Sequence, residues 1–345
     1  MANPGLRALY ARHELAFRTQ YAEVCERCRN EGALLPGTPG SLALRSGTGH
    51  AYWYRRYYAA TGQQTEEFVG KDGDHEALEA MRARIEFAEW TRQQVRGLRQ
   101  LGFQTSDKDV ARVLVELCNR GLFAAGLVMV GTLAYVAWLN ELGVKAVASR
   151  TQTVDLARRQ ALKLAAPTPF LEMVRATKLQ FFPVPGLLAS SPPTSVKRPG
   201  KEGLRVDVLT PGPELGQVVV VPELDWHAQT VPHYDYLLDQ PRRACLLAGT
   251  HCIPVNVPAP ERLVWHKLYS GANRHRDPAK ADKDVQQACT LIAVLVECED
   301  ISLADSATEV PAELFAAAQS QISRLRRALI AHPQALEDVE RTLVG

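Results

Sequence analysis

The rhythm of apolar and polar positions changes several times along the chain, and each change marks an element. Over residues 6 to about 30, Leu9, Leu15, Phe17, Tyr21 and Val24 recur at helix-like spacing among charges, which predicts an N-terminal helix. Pro36, Pro39 and several glycines break that pattern between residues 34 and 49. The stretch HAYWYRRYYAATGQQTEEFVG then alternates in β fashion on both sides of Thr61-Gly62, predicting a hairpin that ends at Gly70, and a second helical block follows over about residues 75–101.

At Asp109 the pattern shifts again. A helix through Asn119 leads into GLFAAGLVMVGTLAYVAWLNELG, which has the form of a buried strand, a Gly-Thr turn and a helix closed by Gly143. Short strands are predicted at residues 153–156, 204–209, 218–221 and 244–247. Between them FPVPGLLASSPPTSVKRPGKEG, rich in Pro, Gly, Ser and Lys, reads as a mobile loop. From residue 259 the chain becomes helical, opened by Pro258 and Pro260, with amphipathic stretches through Cys298 and over residues 312–343. The expected class is α/β (α+β): a small mixed β-sheet core over residues 109–257, preceded by a helix-and-hairpin region over 1–108 and followed by a helical domain over 258–345.

Composition narrows the functional classes. With 345 residues, 46% of them hydrophobic, the chain can bury a core without disulfide staples. Its 40 basic and 38 acidic residues leave a net charge of +2, so no global field draws it to nucleic acid or to an acidic membrane, and any polyanion site must be local. The N-terminus lacks an apolar signal core, and the longest apolar run carries Gly126, Gly131 and Thr132, so neither a signal peptide nor a membrane span is expected. Seven scattered cysteines point to reduced thiols and a cytoplasmic setting. The one close pair, Cys25 and Cys28, has no partner pair at ligand spacing and sits in a charged helical stretch, where packing is the expected role and a metal or redox half-site the alternative.

The candidate chemistry lies between Gly131 and Asp284. Transfer of a nucleotidyl group needs carboxylates to hold Mg²⁺ against a triphosphate, a small-residue turn for the phosphates and a cation for the leaving pyrophosphate. VMVGTLAY supplies the turn, with Gly131 for close approach, Thr132 as a hydroxyl donor and a helix N-terminus that favours anions. Asp155 in TQTVDLA and Asp207 in LRVDVLTP each interrupt an apolar β-run, a costly placement that calls for a cation or dense donors nearby; edge or capping positions are the alternative.

The succession MVGTLAYVAWLNELGV, TQTVDLA, LRVDVLTP and VPAPERLVWHKLYSGANRHRDPAKADKDVQQA resembles the bacterial nucleotidyltransferase-fold families related to the AbiEii toxins, within the DNA polymerase β-like superfamily. The aromatic hairpin also resembles an uncharacterised bacterial branch, extending the likeness over residues 45–300. That resemblance implies a Gly-Thr turn at Gly131 and Thr132, a D-x-D pair falling on Thr153 and Asp155, a third carboxylate at Asp207, a helical lysine at Lys267 and a K-D pair at Lys283 and Asp284. Thr153 departs from the pattern: a neutral hydroxyl replaces a carboxylate on a hard cation, so a two-metal arrangement is weakened, leaving a one-metal enzyme or a binding-only descendant.

On this reading Asp155 and Asp207 ligate Mg²⁺ or Mn²⁺, Gly131, Thr132 and Thr153 meet the nucleotide, Lys267 neutralises a phosphate, and Asp284 accepts a proton or orients Lys267. Arg274, His275 and Arg276, with Lys280 and Lys283, offer positive charge for a nucleotide or an RNA end; a solvated loop balanced by Asp277 and Asp282 is the alternative. Lys197, Arg198 and Lys201 are expected to keep their loop soluble, and His266 to be a core or capping histidine. Tyr52, Trp53, Tyr54, Tyr57 and Tyr58, with Arg55 and Arg56, are expected to bury one hairpin face, with stacking of single-stranded bases as the alternative. No Walker A, G-x-S-x-G, H-E-x-x-H or paired CxxC motif supports other enzyme classes. The expected function is transfer of a nucleoside monophosphate from an NTP to a hydroxyl, with tRNA or another RNA 3′ end as the implied acceptor and a protein hydroxyl as the next; a toxin-antitoxin or phage-defence component is a third possibility, describing biological role and not chemistry. The competing class is a degenerate module that binds nucleotide, RNA or a partner protein.

Overall fold

The computed structural model describes residues 8–47, 49–59, 61–148, 153–185 and 191–345. Strand β1 (Tyr10–Arg12) pairs antiparallel with residues 144–146, so helix α1 (Leu15–Asn30) begins later than its periodicity suggests; the first two residues of the predicted helix lie outside the described ones. Tyr21, Val24, Cys25 and Cys28 form the buried stripe of α1, three and four residues apart as one helix face requires. The predicted hairpin is β3 (His50–Tyr58) with β4 (Gln64–Lys71), and β2 (Ser41–Gly47), a largely exposed strand hidden among turn residues, adds a third member. Helix α2 (His75–Gln100) starts where the Asp74 side chain accepts from the Ala77 N–H.

The middle of the chain runs α3 (Lys108–Asn119), β5 (Val128–Val130), α4 (Gly131–Glu141), β6 (Val144–Ala146), β7 (Thr153–Ala157) and α5 (Phe170–Ala176), the strand-turn-helix pattern expected. The segment read as a mobile loop instead forms β8 (Phe182–Pro185) and β9 (Pro193–Lys197), an antiparallel pair. Among the described residues β8 pairs with β9 alone, so no further strand there asks for the N–H that Pro183 and Pro185 lack. Residues 186–190 of that segment lie outside the described ones. Then come β10 (Arg205–Pro211), β11 (Val218–Val221), β12 (Trp226–Val231), α6 (Tyr234–Leu237), β13 (Arg242–Ala248) and β14 (His251–Val257). The chain closes with α7 (Pro260–Asn273), α8 (Pro278–Glu299), α9 (Leu303–Ala307), α10 (Ala312–Ser320), α11 (Ile322–Ala328) and α12 (Pro333–Leu343).

The seven-stranded sheet has the order β11-β12-β10-β7-β5, with β9 alongside β10 and β8 on β9. β10 runs parallel to β7 and β12, while β5 runs antiparallel to β7, so the sheet is mixed and the class α/β as expected. Val154, Leu156, Val206 and Val208 point into the main core, and the alternate positions of β7 and β10 line the opposite, more open face. The hairpin β13–β14 stands between two cores. Ala244, Leu246, Ile253 and Val255 face the main one, whereas Cys245, Leu247 and Cys252 face a smaller one closed by α1 and α2. Among the described residues, no helix is long and apolar enough to cross a membrane.

Candidate active site

Val130 ends β5 in an extended conformation, and Gly131 opens α4 at φ +70. A Cβ on residue 131 would lie 2.2 Å from Asp155 Oδ2. Glycine is therefore demanded twice, by backbone sign and by the carboxylate pressed against it. Gly131→Ala should destabilise the protein by about 1–3 kcal/mol and displace Asp155. A thermal melt of the variant checks this; an unchanged melting temperature would contradict it.

Strand register places the carboxylates. Asp155 on β7 lies opposite Val130 of β5 on one side and opposite Asp207 of β10 on the other. Cross-strand partners share a face, so both aspartates stand on the open side of the sheet with Thr153 and Arg205. Burial pushes the Asp155 carboxyl up to about 7, and the neighbouring Asp207 charge adds to that; Arg274, Lys267 and Lys283 act in the opposite sense. Arg205 Nε lies 2.7 Å from Asp207 Oδ1.

Opposite this face α7 and α8 carry a buried polar cluster. Lys267 Nζ donates to Gln287 Oε1 at 2.5 Å and to Asp284 Oδ1 at 3.2 Å, and Arg274 Nη1 ion-pairs with Asp284 Oδ2 at 2.8 Å without hydrogen-bond alignment. Lys267 is 3% and Asp284 5% exposed, so their pairing is what makes either charge tolerable there. Burial lowers the Lys267 ammonium and Asp284 opposes that shift. His266 is pushed down to about 3 by burial and by Lys267, which leaves it neutral, a core histidine as expected.

The structure thus brings Gly131, Asp155 and Asp207 together and sets Lys267, Arg274 and Lys283 within electrostatic reach of Asp155. Thr132 is buried in the first turn of α4. Thr153 shares the face of Asp155 at the start of β7. His275 and Arg276 are exposed on the turn between α7 and α8, while Arg274 reaches inward to Asp284. Arg198 ion-pairs with Asp109 at the start of α3, and Lys197 Nζ donates to the Lys201 carbonyl at 3.3 Å, so both side chains are engaged within the protein. Arg55 is removed from any nucleic-acid role: it is fully buried, donating to the carbonyls of Pro36, Thr38 and Pro39 and to Glu67.

Sequence reading missed three residues. Gln287 accepts from Lys267 one helical turn beyond Asp284, and Arg205 holds Asp207. Tyr234, on α6, packs edge-on against His266 at 5.1 Å, and its phenol is pushed well up by burial and then by the Asp155 charge. The i, i+3 spacing of Asp284 and Gln287 was a usable signal; nothing local marks Tyr234.

A mixed sheet with a strand-glycine-helix entry and a C-terminal helical wall over its open face is the fold of a nucleotidyltransferase. The chain belongs to the nucleotidyltransferase family whose model, described as "Nucleotidyltransferase", matches residues 108–311. No curated protein matches it. Among solved structures, that of an antigenic nucleotidyltransferase-like protein from Paracoccidioides brasiliensis is similar at 15% identity and a TM-score of 0.38, over 70% of this chain and 100% of that one.

Proposed function

We propose that the chain transfers a nucleoside monophosphate from an NTP to a hydroxyl, with an RNA 3′ end, tRNA foremost, as the acceptor. The observation that carries this reading is the in-register pair Asp155 and Asp207 set against Gly131 at the head of α4. Two adjacent carboxylates, one raised to about 7, are a donor set that suits a hard divalent cation, Mg²⁺ or Mn²⁺, and would hold it. Such an ion, when bound, neutralises phosphate charge and orients the triphosphate.

The chain's own groups then have separate tasks. The first turn of α4, at Gly131 and Thr132, offers backbone N–H groups to phosphate oxygens, and Thr153 stands beside the nucleotide on the same face. The acceptor oxygen attacks the α-phosphorus, the bond to the bridging oxygen breaks, and pyrophosphate leaves while the acceptor proton passes to solvent. Lys267, Arg274, Arg276 and Lys283 supply positive charge for the departing pyrophosphate. Asp284, buried between Lys267 and Arg274, orients both; its burial and double pairing favour that task over proton acceptance.

A second reading is a non-catalytic module for nucleotide, RNA or a partner protein. Thr153 at the position of the first carboxylate favours it, as does Arg205, which competes with a cation for Asp207. Incubating the protein with each α-labelled NTP, Mg²⁺ or Mn²⁺ and total RNA separates the two. Label on RNA supports the transferase, label on the protein moves the acceptor to a protein hydroxyl, and bound nucleotide without label from any NTP supports the module.

Metal affinity should also depend on pH. A carboxyl raised in the folded state stabilises the metal-free protein below its unfolded value of about 3.9, and that contribution is lost as pH rises through about 7. The cation must displace the same proton, so its apparent affinity should rise up to about tenfold per pH unit and level off above about 7. Mn²⁺ titrations on both sides of that value test this, and a flat profile would contradict it.

A further inference from the structure

Cys25 and Cys28 do not stand alone in the fold. They lie on one face of α1, and that face covers two more thiols on the β13–β14 hairpin. In the hairpin register Cys252 pairs with Leu247, and Cys245 lies two residues from Leu247 on the same side, so Cys245 and Cys252 are diagonal neighbours. The Sγ atoms of Cys25, Cys245 and Cys252 all lie within 4.8 Å of one another. Cys28 lies in the same core with its thiol beside that of Cys252, but outside the set of three sulfurs mutually within 4.8 Å, so it must turn inward to complete a tetrahedron. Each of the four residues is at most 1% exposed.

The spacing excludes a disulfide and matches coordination as well as it does contact between reduced thiols. A disulfide needs sulfurs about 2.05 Å apart. Around a tetrahedral zinc with Zn–S bonds of about 2.3 Å, neighbouring sulfurs lie about 3.8 Å apart. Cys25 and Cys252 stand 3.9 Å apart. Apolar side chains, Val24, Val95, Leu98, Leu247 and Phe103 among them, close most of the surround, with the Tyr21 hydroxyl and the Glu141 carboxylate on one side. Arg29 lies within electrostatic reach of Cys25 and Cys245 and is ion-paired with Glu141 at 3.1 Å, so this pair adds no net charge to that of a zinc bound by four thiolates. Cys28 and Arg29 also help to wall a surface groove with Cys118 and Arg243, which gives an ion a way in.

We propose that Cys25, Cys28, Cys245 and Cys252 bind one structural Zn²⁺. The four thiols release their protons to solvent on coordination, and soft sulfur donors keep this ion distinct from the hard cation suited to Asp155 and Asp207. The metal fastens α1, which precedes the family-matched segment, to a hairpin inside it. It also braces the far end of the helix that begins at Gly131. Glu141, the last residue of α4, accepts from the Cys245 backbone N–H at 2.7 Å and from the Tyr21 hydroxyl at 3.1 Å.

Elemental analysis of the full chain, purified without chelators and desalted, tests the proposal. The wild type should carry about one zinc per chain, and Cys252→Ser at least about tenfold less. Cys118→Ser and Asp207→Ala should keep the zinc, which separates this site from the carboxylates. Because a serine variant can fail to fold, the wild type reconstituted with Co²⁺ provides an independent reading: intense thiolate-to-cobalt absorption with tetrahedral ligand-field bands is expected. A folded wild type with less than about a tenth of an equivalent of zinc, iron in its place, octahedral cobalt spectra, or an intact mass two hydrogens short would each overturn it.

Discussion

Asp207→Ala should abolish nucleotidyl transfer, lowering the rate on the order of a thousandfold or more, while the protein stays folded. Loss of a carboxylate ligand removes several kcal/mol of charge stabilisation from the reacting centre, and each 1.36 kcal/mol is a factor of ten in rate. The fold should survive because Asp207 lies on the open face of the sheet and its partner Arg205 is itself 38% exposed, so the abandoned guanidinium turns to water at a cost of about 1 kcal/mol or less. Asp207→Asn keeps the shape and removes the charge; it should lose transfer to a similar extent and bring the Asp155 carboxyl back towards its ordinary range. Labelled-NTP transfer assays beside far-ultraviolet circular dichroism give the answer. Retained transfer in a folded Asp207→Ala protein would remove this aspartate from the reaction.

Lys267→Ala should act the other way, on stability first. The ammonium is 3% exposed and is the hydrogen-bonded counter-ion of Asp284, so its removal leaves a carboxylate that is 5% exposed with the misaligned Arg274 contact alone, and leaves Gln287 Oε1 without its donor. Breaking a buried pair by deleting one partner costs about 3–5 kcal/mol. Removing both charges at once, as in Lys267→Met with Asp284→Leu, should recover most of that loss while transfer stays absent. Urea unfolding of the three proteins measures the difference. If the double variant were no more stable than Lys267→Ala, the cost would belong to packing and not to an uncompensated charge.

Much of this was legible along the chain because it is local. A buried strand, a glycine turn and a helix occupy consecutive residues in VMVGTLAY, and two aspartates in apolar β-runs announce themselves by their poor fit to such runs. Register did the rest, and register is set by neighbouring strands: no pattern within TQTVDLA or LRVDVLTP says that Asp155 and Asp207 stand side by side. Elements that violate local rules were hidden. β8 has Pro183 and Pro185, β14 has Pro254, and the short Leu42-Ala43-Leu44 run of β2 is flanked by turn residues. Tyr234 and the completion of the Cys25-Cys28 pair by Cys245 and Cys252 were invisible for a further reason: their neighbours are separated from them by long stretches of chain, as with Cys25 and Cys252. Arg55 shows the converse, since a charge among aromatics resembles a nucleic-acid contact until three backbone carbonyls are found to claim it.

The hairpin β13–β14 is a party wall, with a different room on each side. Severing the chain ahead of the family-matched segment would strip Cys245, Leu247 and Cys252 of the helices that cover them and leave an oily flank in water. The first hundred or so residues are therefore a wall of the family-matched unit and not an appendage to it: they supply the cover that the outer face of that hairpin lacks by itself.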